Sequence, residues 1–184
     1  MKSSFHRQLR RVFGYALLML GFAAYSAPEA GASVSSITID AASGEVLSSS
    51  AADTLRYPAS LTKVMTLYIT FDALEKGIIK LDDKLPVSRH AANRSPSKLG
   101  LRAGSSIDVK TCIMAVIVKS ANDCATVLAE GLGYSEENFA KSMTRVSREL
   151  GMKNTTFKNA SGLPNKQQKT TCLLYTSPSP RDMR

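Results

Sequence analysis

Histidine is nearly missing from this chain: His6 and His90 are the only two among 184 residues. His6 falls in a leader-like segment, so a serine nucleophile here needs a base other than imidazole. Cysteine is scarce too. Cys112 and Cys124 lie in apolar helical text and read as small packed hydrophobes, although export to an oxidising compartment would allow them to pair. Cys172 belongs to an aperiodic C-terminal stretch. No group of residues has the spacing of metal ligands, and no cofactor is expected. Nor is there a Lys/Arg run of the kind that tracks nucleic acid, so no nucleic-acid partner is expected. The net charge of +9 overstates the middle of the chain: residues 1–32 carry +3 and 172–184 carry +1, which leaves a mixed, mildly basic +5 for residues 33–171.

The chain also lacks an apolar run of the roughly 20 residues needed to span a bilayer. What it has is a shorter one, Val12–Ala24, after Lys2, Arg7, Arg10 and Arg11 and before Pro28. Ala30-Gly31-Ala32 supplies a small-x-small cleavage site. Charge order and length predict a secretory signal peptide over 1–32, removed after Ala32. From Cys172 onward, Leu173-Leu174-Tyr175-Thr176-Ser177-Pro178-Ser179-Pro180 has neither helical nor strand period. Residues 172–184 read as a disordered tail resembling translated adapter sequence, to be excluded from functional reasoning.

Between these ends, Ser36–Asp40 alternates like a strand, Ala42-Ser43-Gly44 turns, and Glu45-Val46-Leu47 starts a return strand. A helix follows Ser60, apolar around most of its circumference and so expected in the core, with Gly77 as its C-cap. Arg89–Ser106 reads as polar loop. Asp108 caps a helix that breaks at Ser120, and a second begins near Asn122 and runs to Glu130, before Gly131. Ser135 caps a last helix over Glu136–Leu150, whose stripe of Phe139, Met143, Val146 and Leu150 is core packing. Strands followed by a run of helices define an α+β domain.

Ser60-Leu61-Thr62-Lys63 carries the chemistry. Three apart on a helix, Ser60 and Lys63 share a face. A lysine desolvated by burial can take a serine's proton near neutral pH, and the helix N-terminus leaves a backbone N–H for an oxyanion. Ser95-Pro96-Ser97-Lys98 fits the same Ser-x-x-Lys spacing, yet Gly100 and Gly104 follow it, so it is expected in a loop and not at the chemistry. Ser120-Ala121-Asn122, in a turn between two apolar helices, adds a hydroxyl and an amide aimed into one cleft. His90 and the Asp82/Asp83 pair read as surface residues. Asn159 and Gly162 are expected to shape a loop near the site.

Tyr57-Pro58-Ala59-Ser60-Leu61-Thr62-Lys63-Val64-Met65-Thr66 resembles the active-site segment of the low-molecular-mass penicillin-binding proteins, the serine D-Ala-D-Ala carboxypeptidases. Ser120-Ala121-Asn122-Asp123 matches their Ser-x-Asn motif, and Gly151–Pro164 is similar to a stretch further along. The resemblance covers about Ser36–Gln168. It implies a β-lactamase/penicillin-binding-protein-like transpeptidase fold, an antiparallel sheet with a helical cluster, and a domain of which 33–171 is the N-terminal part. The third motif, Lys-Thr-Gly, does not occur, and the chain is expected to be a fragment that stops before the later sheet strands and is itself inactive. The resemblance further implies catalytic roles for Ser60, Lys63 and Ser120, substrate binding by Asn122, and a peptidoglycan stem peptide ending in D-Ala-D-Ala as substrate. β-Lactams would be covalent inhibitors. The protein would work in the periplasm or on the outer face of the cytoplasmic membrane, with peripheral membrane association through a further C-terminal segment. Two rivals remain. A class A-like β-lactamase needs a glutamate to activate water, with Glu130, Glu136, Glu137 and Glu149 on offer. A non-catalytic peptidoglycan-binding envelope protein would keep the fold alone.

Overall fold

The computed structural model describes residues 34–172. The expected signal peptide, and all of the expected tail but Cys172, lie outside the described residues. Strands β1 (Ser36–Ile39) and β2 (Val46–Ser50) form an antiparallel hairpin in which Ser36 pairs with Ser50 and the register shifts between Thr38 and Ile39. Asp40 makes the turn: its carboxylate accepts from the Ala42 and Ser43 N–H groups at 3.0 and 2.7 Å, and Gly44 takes the left-handed φ that closes it. Every residue of β2 is exposed.

A 3-10 turn over Ala59–Leu61 leads into α1 (Thr62–Glu75). Gly77, at φ +68°, ends it as expected: its N–H donates to the Leu74 carbonyl and the Ile78 N–H to that of Ala73. The expectation that α1 is buried through its apolar side needs correction. Its buried face is Thr62, Lys63, Met65, Thr66, Thr70 and Ala73, while Val64 is 54% and Phe71 42% exposed. Polar residues can occupy the inner face because each finds a partner. Thr66 Oγ1 donates to the Ala160 carbonyl at 2.7 Å and Thr70 Oγ1 to that of Thr66 at 2.8 Å.

The stretch expected to be loop, Arg89–Ser106, holds one short helix, and strands form at its borders. Strands β3 (Lys84–Pro86) and β4 (Ser106–Asp108) pair antiparallel, Leu85 opposite Ile107, and a short α2 (Arg89–Ala92) starts where Ser88 Oγ accepts from the Ala91 N–H at 2.9 Å. Helix α3 (Val109–Lys119) is capped by Asp108, whose Oδ1 accepts from the Thr111 N–H at 2.8 Å, and stops at Ser120 in the left-handed region. Helix α4 (Asn122–Gly133) runs a turn past its expected end. Gly131 does not break it, because a bare Cα is what the neighbouring Leu85 side chain leaves room for: a Cβ there would sit 2.8 Å from Leu85 Cδ2. Helix α5 (Glu136–Glu149) begins at the Ser135 cap.

The core lies around α4, which packs on α1, α2, α3 and α5. Cys124, Ala125, Val127, Leu128 and Ala129 are fully buried, meeting Phe139 and Met143 from α5 and Ile113 and Val116 from α3. Burial of each large aliphatic side chain contributes about 1.5–3 kcal/mol. Cys112 and Cys124 are both buried and unlinked, packed as small hydrophobes; the hydrogen bond with Cys112, and then burial, push the Cys124 thiol far up. This helical cluster is what holds the two serine-bearing turns, one before α1 and one before α4.

Candidate active site

Ser60 sits on the exposed 3-10 turn, and the residue before it is strained: Ala59 has φ +46°. A non-glycine residue there costs roughly 1–2 kcal/mol. Gly162 explains how close the chain comes on the other side. A Cβ on Gly162 would lie 1.8 Å from the Ala59 oxygen and 3.0 Å from the Ser60 nitrogen. The loop of residues 159–163 is therefore pressed directly onto the turn that carries Ser60.

Lys63, the second residue of α1 and one turn past Ser60, has only 4% of its surface exposed. Its Nζ donates to the Ser161 carbonyl at 2.6 Å and reaches Ser60 Oγ at 3.4 Å. Burial lowers its pKa from 10.5 to about 8, so the neutral amine is accessible close to neutral pH. The 3.4 Å separation is long for a hydrogen bond, and such contacts commonly tighten when substrate arrives.

The second pair occupies the α3–α4 junction. Ser120 holds φ +54°, half-buried, and Asn122 opens α4 with its side chain buried. Asn122 Nδ2 donates to the Ser95 carbonyl at 2.9 Å and its N–H to that of Ser97 at 2.8 Å. Thus the second Ser-x-x-Lys copy is a loop, as expected, but it braces Asn122 through its backbone. Among the described residues, no hydrogen bond links the Ser60–Lys63 pair to the Ser120–Asn122 pair. That same loop is held from beneath by Asp123. Its fully buried carboxylate accepts from the N–H groups of Leu99, Gly100 and Leu101 at 2.9, 2.8 and 3.1 Å. Burial pushes the Asp123 pKa up, and these donors outweigh it, holding the group below the usual carboxylate range.

Sequence reasoning flagged Asn159 and Gly162 but missed what lies between and behind them. Asn159 Oδ1 accepts from the Ser161 and Gly162 N–H groups at 3.2 and 2.7 Å, and Gln168 Oε1 from those of Lys158 and Asn159 at 2.9 and 3.1 Å. Glu136, offered by the sequence as one of four glutamates for the β-lactamase rival, is buried behind this loop, its Oε1 accepting from the Ala160 N–H at 3.0 Å. No motif announces a backbone carbonyl such as that of Ser161. A cleft of about 520 Å³ opens beside Ala59, walled by Tyr57, Pro58 and the Gly162–Lys166 segment. The Lys169 ammonium rests 3.3 Å above the Tyr57 ring beside it.

Each glutamate that the β-lactamase rival would need is committed elsewhere. Glu130 accepts from Ser88 Oγ at 3.0 Å, Glu136 faces Arg94, His90 and Thr126, Glu137 pairs with Lys141, and Glu149 with Arg145. None of them touches Ser60 or Lys63. His90 is half-exposed but not solitary, its Nε2 lying 2.7 Å from Glu136 Oε2. Among the described residues no group of three or more His, Cys, Asp or Glu is placed to hold a metal, and no helix is long and apolar enough to cross a membrane.

A serine and a desolvated lysine at one helix start and a Ser-x-Asn junction at another, carried by one helical cluster, are the arrangement that the resemblance to the penicillin-binding-protein class implies. The chain belongs to the D-alanyl-D-alanine carboxypeptidase family, which it matches over residues 23–183. That span runs past both ends of the region 33–171 singled out from sequence. It is 40% identical over 129 residues to D-alanyl-D-alanine carboxypeptidase DacF of Bacillus subtilis, covering 70% of this chain and 33% of that protein. Among solved structures, the D-alanyl-D-alanine carboxypeptidase DacD from Francisella tularensis matches with a TM-score of 0.74 at 35% identity, over 78% of this chain and 36% of that one. Penicillin binding protein 5 from Haemophilus influenzae matches at 0.72 and 32%, over 76% and 42%. The fold is accordingly the penicillin-binding-protein transpeptidase fold inferred from the motifs. The chain spans about a third of the length of the curated relatives it matches.

Proposed function

We propose that this chain is part of a serine D-Ala-D-Ala carboxypeptidase acting on peptidoglycan stem peptides, with Ser60, Lys63 and Ser120 as its catalytic residues and Asn122 as a substrate-binding residue. The observation that carries the reading is Lys63, buried, depressed toward neutrality and placed between Ser60 Oγ and the Ser161 carbonyl. Lys63 takes the Ser60 proton as Oγ attacks the carbonyl of the penultimate D-alanine. The Ser60 N–H, at the positive end of α1, supports the developing oxyanion. Ser120 passes a proton to the nitrogen of the departing D-alanine. Asn122, its Nδ2 spent on the Ser95 carbonyl, offers Oδ1 to a substrate N–H. Water then attacks the Ser60 ester and releases the shortened peptide. A β-lactam follows the first half of this path and stays attached to Ser60.

The setting completes the reading. Residues 1–32 are a signal peptide, the protein works outside the cytoplasmic membrane, in the periplasm or on the membrane's outer face, and 172–184 takes no part. Peripheral membrane association rests on the resemblance alone. The test is release of D-alanine from a diacetyl-Lys-D-Ala-D-Ala peptide by a version extended to the full length of its relatives. Turnover that is lost in Ser60→Ala is expected. Turnover that persists in Ser60→Ala would overturn the assignment, and rapid hydrolysis of a chromogenic cephalosporin would favour the β-lactamase instead.

A further inference from the structure

The backbone of residue 160 is gripped from both sides. Its N–H donates to Glu136 Oε1 at 3.0 Å, and its carbonyl accepts from Thr66 Oγ1 at 2.7 Å. Ala160 and Thr66 are fully buried and Glu136 is 7% exposed, so neither bond competes with solvent. The next carbonyl along the chain, that of Ser161, is the 2.6 Å partner of Lys63. Thr66 stands three residues beyond Lys63 on the same face of α1, so the residue that holds the loop and the lysine that the loop holds are adjacent. Glu136 is itself fixed: Thr126 Oγ1 donates to Oε1 at 3.2 Å, and Arg94 and His90 approach Oε2. A buried carboxylate on the first turn of α5 is thereby joined to α1, the helix that carries Lys63, through a single residue.

We propose that Glu136 and Thr66 are positioning residues for the proposed acyl transfer, clamping Ala160 so that the Ser161 carbonyl aims Lys63 at Ser60. A neutral amine has one lone pair and can rotate about its terminal bond. With an N–H donated to a fixed carbonyl, the lone pair is confined to the directions that remain, one of which is toward Ser60 Oγ. A loosened 160–161 segment leaves Lys63 buried and uncharged yet misaimed, and misplacement of a reacting group on the order of 1 Å costs up to about 10²-fold in rate. The inference rests on Ser60 and Lys63 being the nucleophile and base.

The experiment measures fluorescent-penicillin acylation of the full-length version, separating the saturating rate constant, the non-covalent dissociation constant and the fraction of molecules labelled. Glu136→Ala is expected to lower the rate constant roughly 10–100-fold with the dissociation constant nearly unchanged, because ligand contacts are intact and only aim is lost. Glu136→Gln, which keeps an oxygen for the Ala160 N–H, is expected to restore most of the rate. Thr66→Val should act like Glu136→Ala and Thr66→Ser should rescue it, which decides the matter if Glu136→Ala does not fold. A merely structural role would reduce the labelled fraction while the labelled molecules react at the wild-type rate, and that result would overturn the proposal. Wild-type protein that takes no label removes the acyl-transfer reading and the clamp with it.

Discussion

As the proposed base, Lys63 has to be buried enough to lose its proton and held firmly enough to receive one from Ser60. Burial alone sets the first condition. The sign follows from the group: a cation loses solvation, so its folded pKa falls from 10.5 to about 8, and the reactive neutral form is gained as pH rises. Acylation by penicillin is therefore expected to increase about tenfold between pH 7 and pH 9, as the neutral fraction climbs from about a tenth to about nine tenths. Lys63→Ala should slow acylation by roughly 10²–10⁴-fold and flatten that rise. A pH profile that is already flat in the wild type would show that another group is the base. Gly162 poses a purely steric condition on the same residues. In Gly162→Ala the new methyl would lie 1.8 Å from the Ala59 carbonyl oxygen, a backbone atom that cannot swing aside, at a φ of +84° that alanine resists. Loss of acylation with a lowered Tm is expected, and wild-type labelling would mean the loop does not press on the nucleophile turn. These roles differ in legibility. A Ser-x-x-Lys pair is readable because side-chain type and spacing define it, whereas the Ser161 carbonyl is common to every residue type and becomes specific only through tertiary placement.

At the scale of elements, the caps and periodic helices could be read in advance, and short or paired features could not. Asp108, Ser135 and Gly77 mark helix ends by local bonds that local sequence encodes. Strands β3 and β4 are three residues each, too short for a period to register, and owe their existence to pairing across more than twenty residues of chain. Helix α1 misled because apolar content does not say which face is covered; its threonines are inside because the Ala160 carbonyl and neighbouring groups satisfy them. Asp123 makes the strongest case for an element held by one side chain, since three successive N–H groups of the loop beside Asn122 end on its carboxylate. Asp123→Asn turns an all-acceptor group into one that also donates, and should cost about 1–3 kcal/mol of stability at neutral pH. The folded pKa is depressed below the ordinary aspartate value of 3.8, so this stabilisation is present above that value and is lost as pH falls through the folded one. Thermal unfolding of wild type and variant should differ at pH 7 and converge in acid. A gap that stays constant with pH would show that the carboxylate's charge contributes nothing.

For the whole molecule, two turns from separate parts of the chain, before α1 and before α4, are set by one helical core, and the loop at 159–163 closes on the first. The sequence could announce the fold class, and could nominate Ser60, Lys63, Ser120 and Asn122 as the proposed site residues, because the motif blocks are contiguous. It could not announce the bonds of Glu136 and Thr66 to Ala160 or of the Ser95 and Ser97 carbonyls to Asn122, whose partners lie 24 to 94 residues apart. The central claim is that Ser60, and not the equally spaced Ser95, is the nucleophile. The most direct measurement is mass spectrometry of the full-length version after penicillin treatment and proteolysis. The account predicts a penicilloyl adduct on the peptide containing Ser60, unchanged in Ser95→Ala and absent in Ser60→Ala. An adduct on the Ser95 peptide, or one that survives Ser60→Ala, would contradict it.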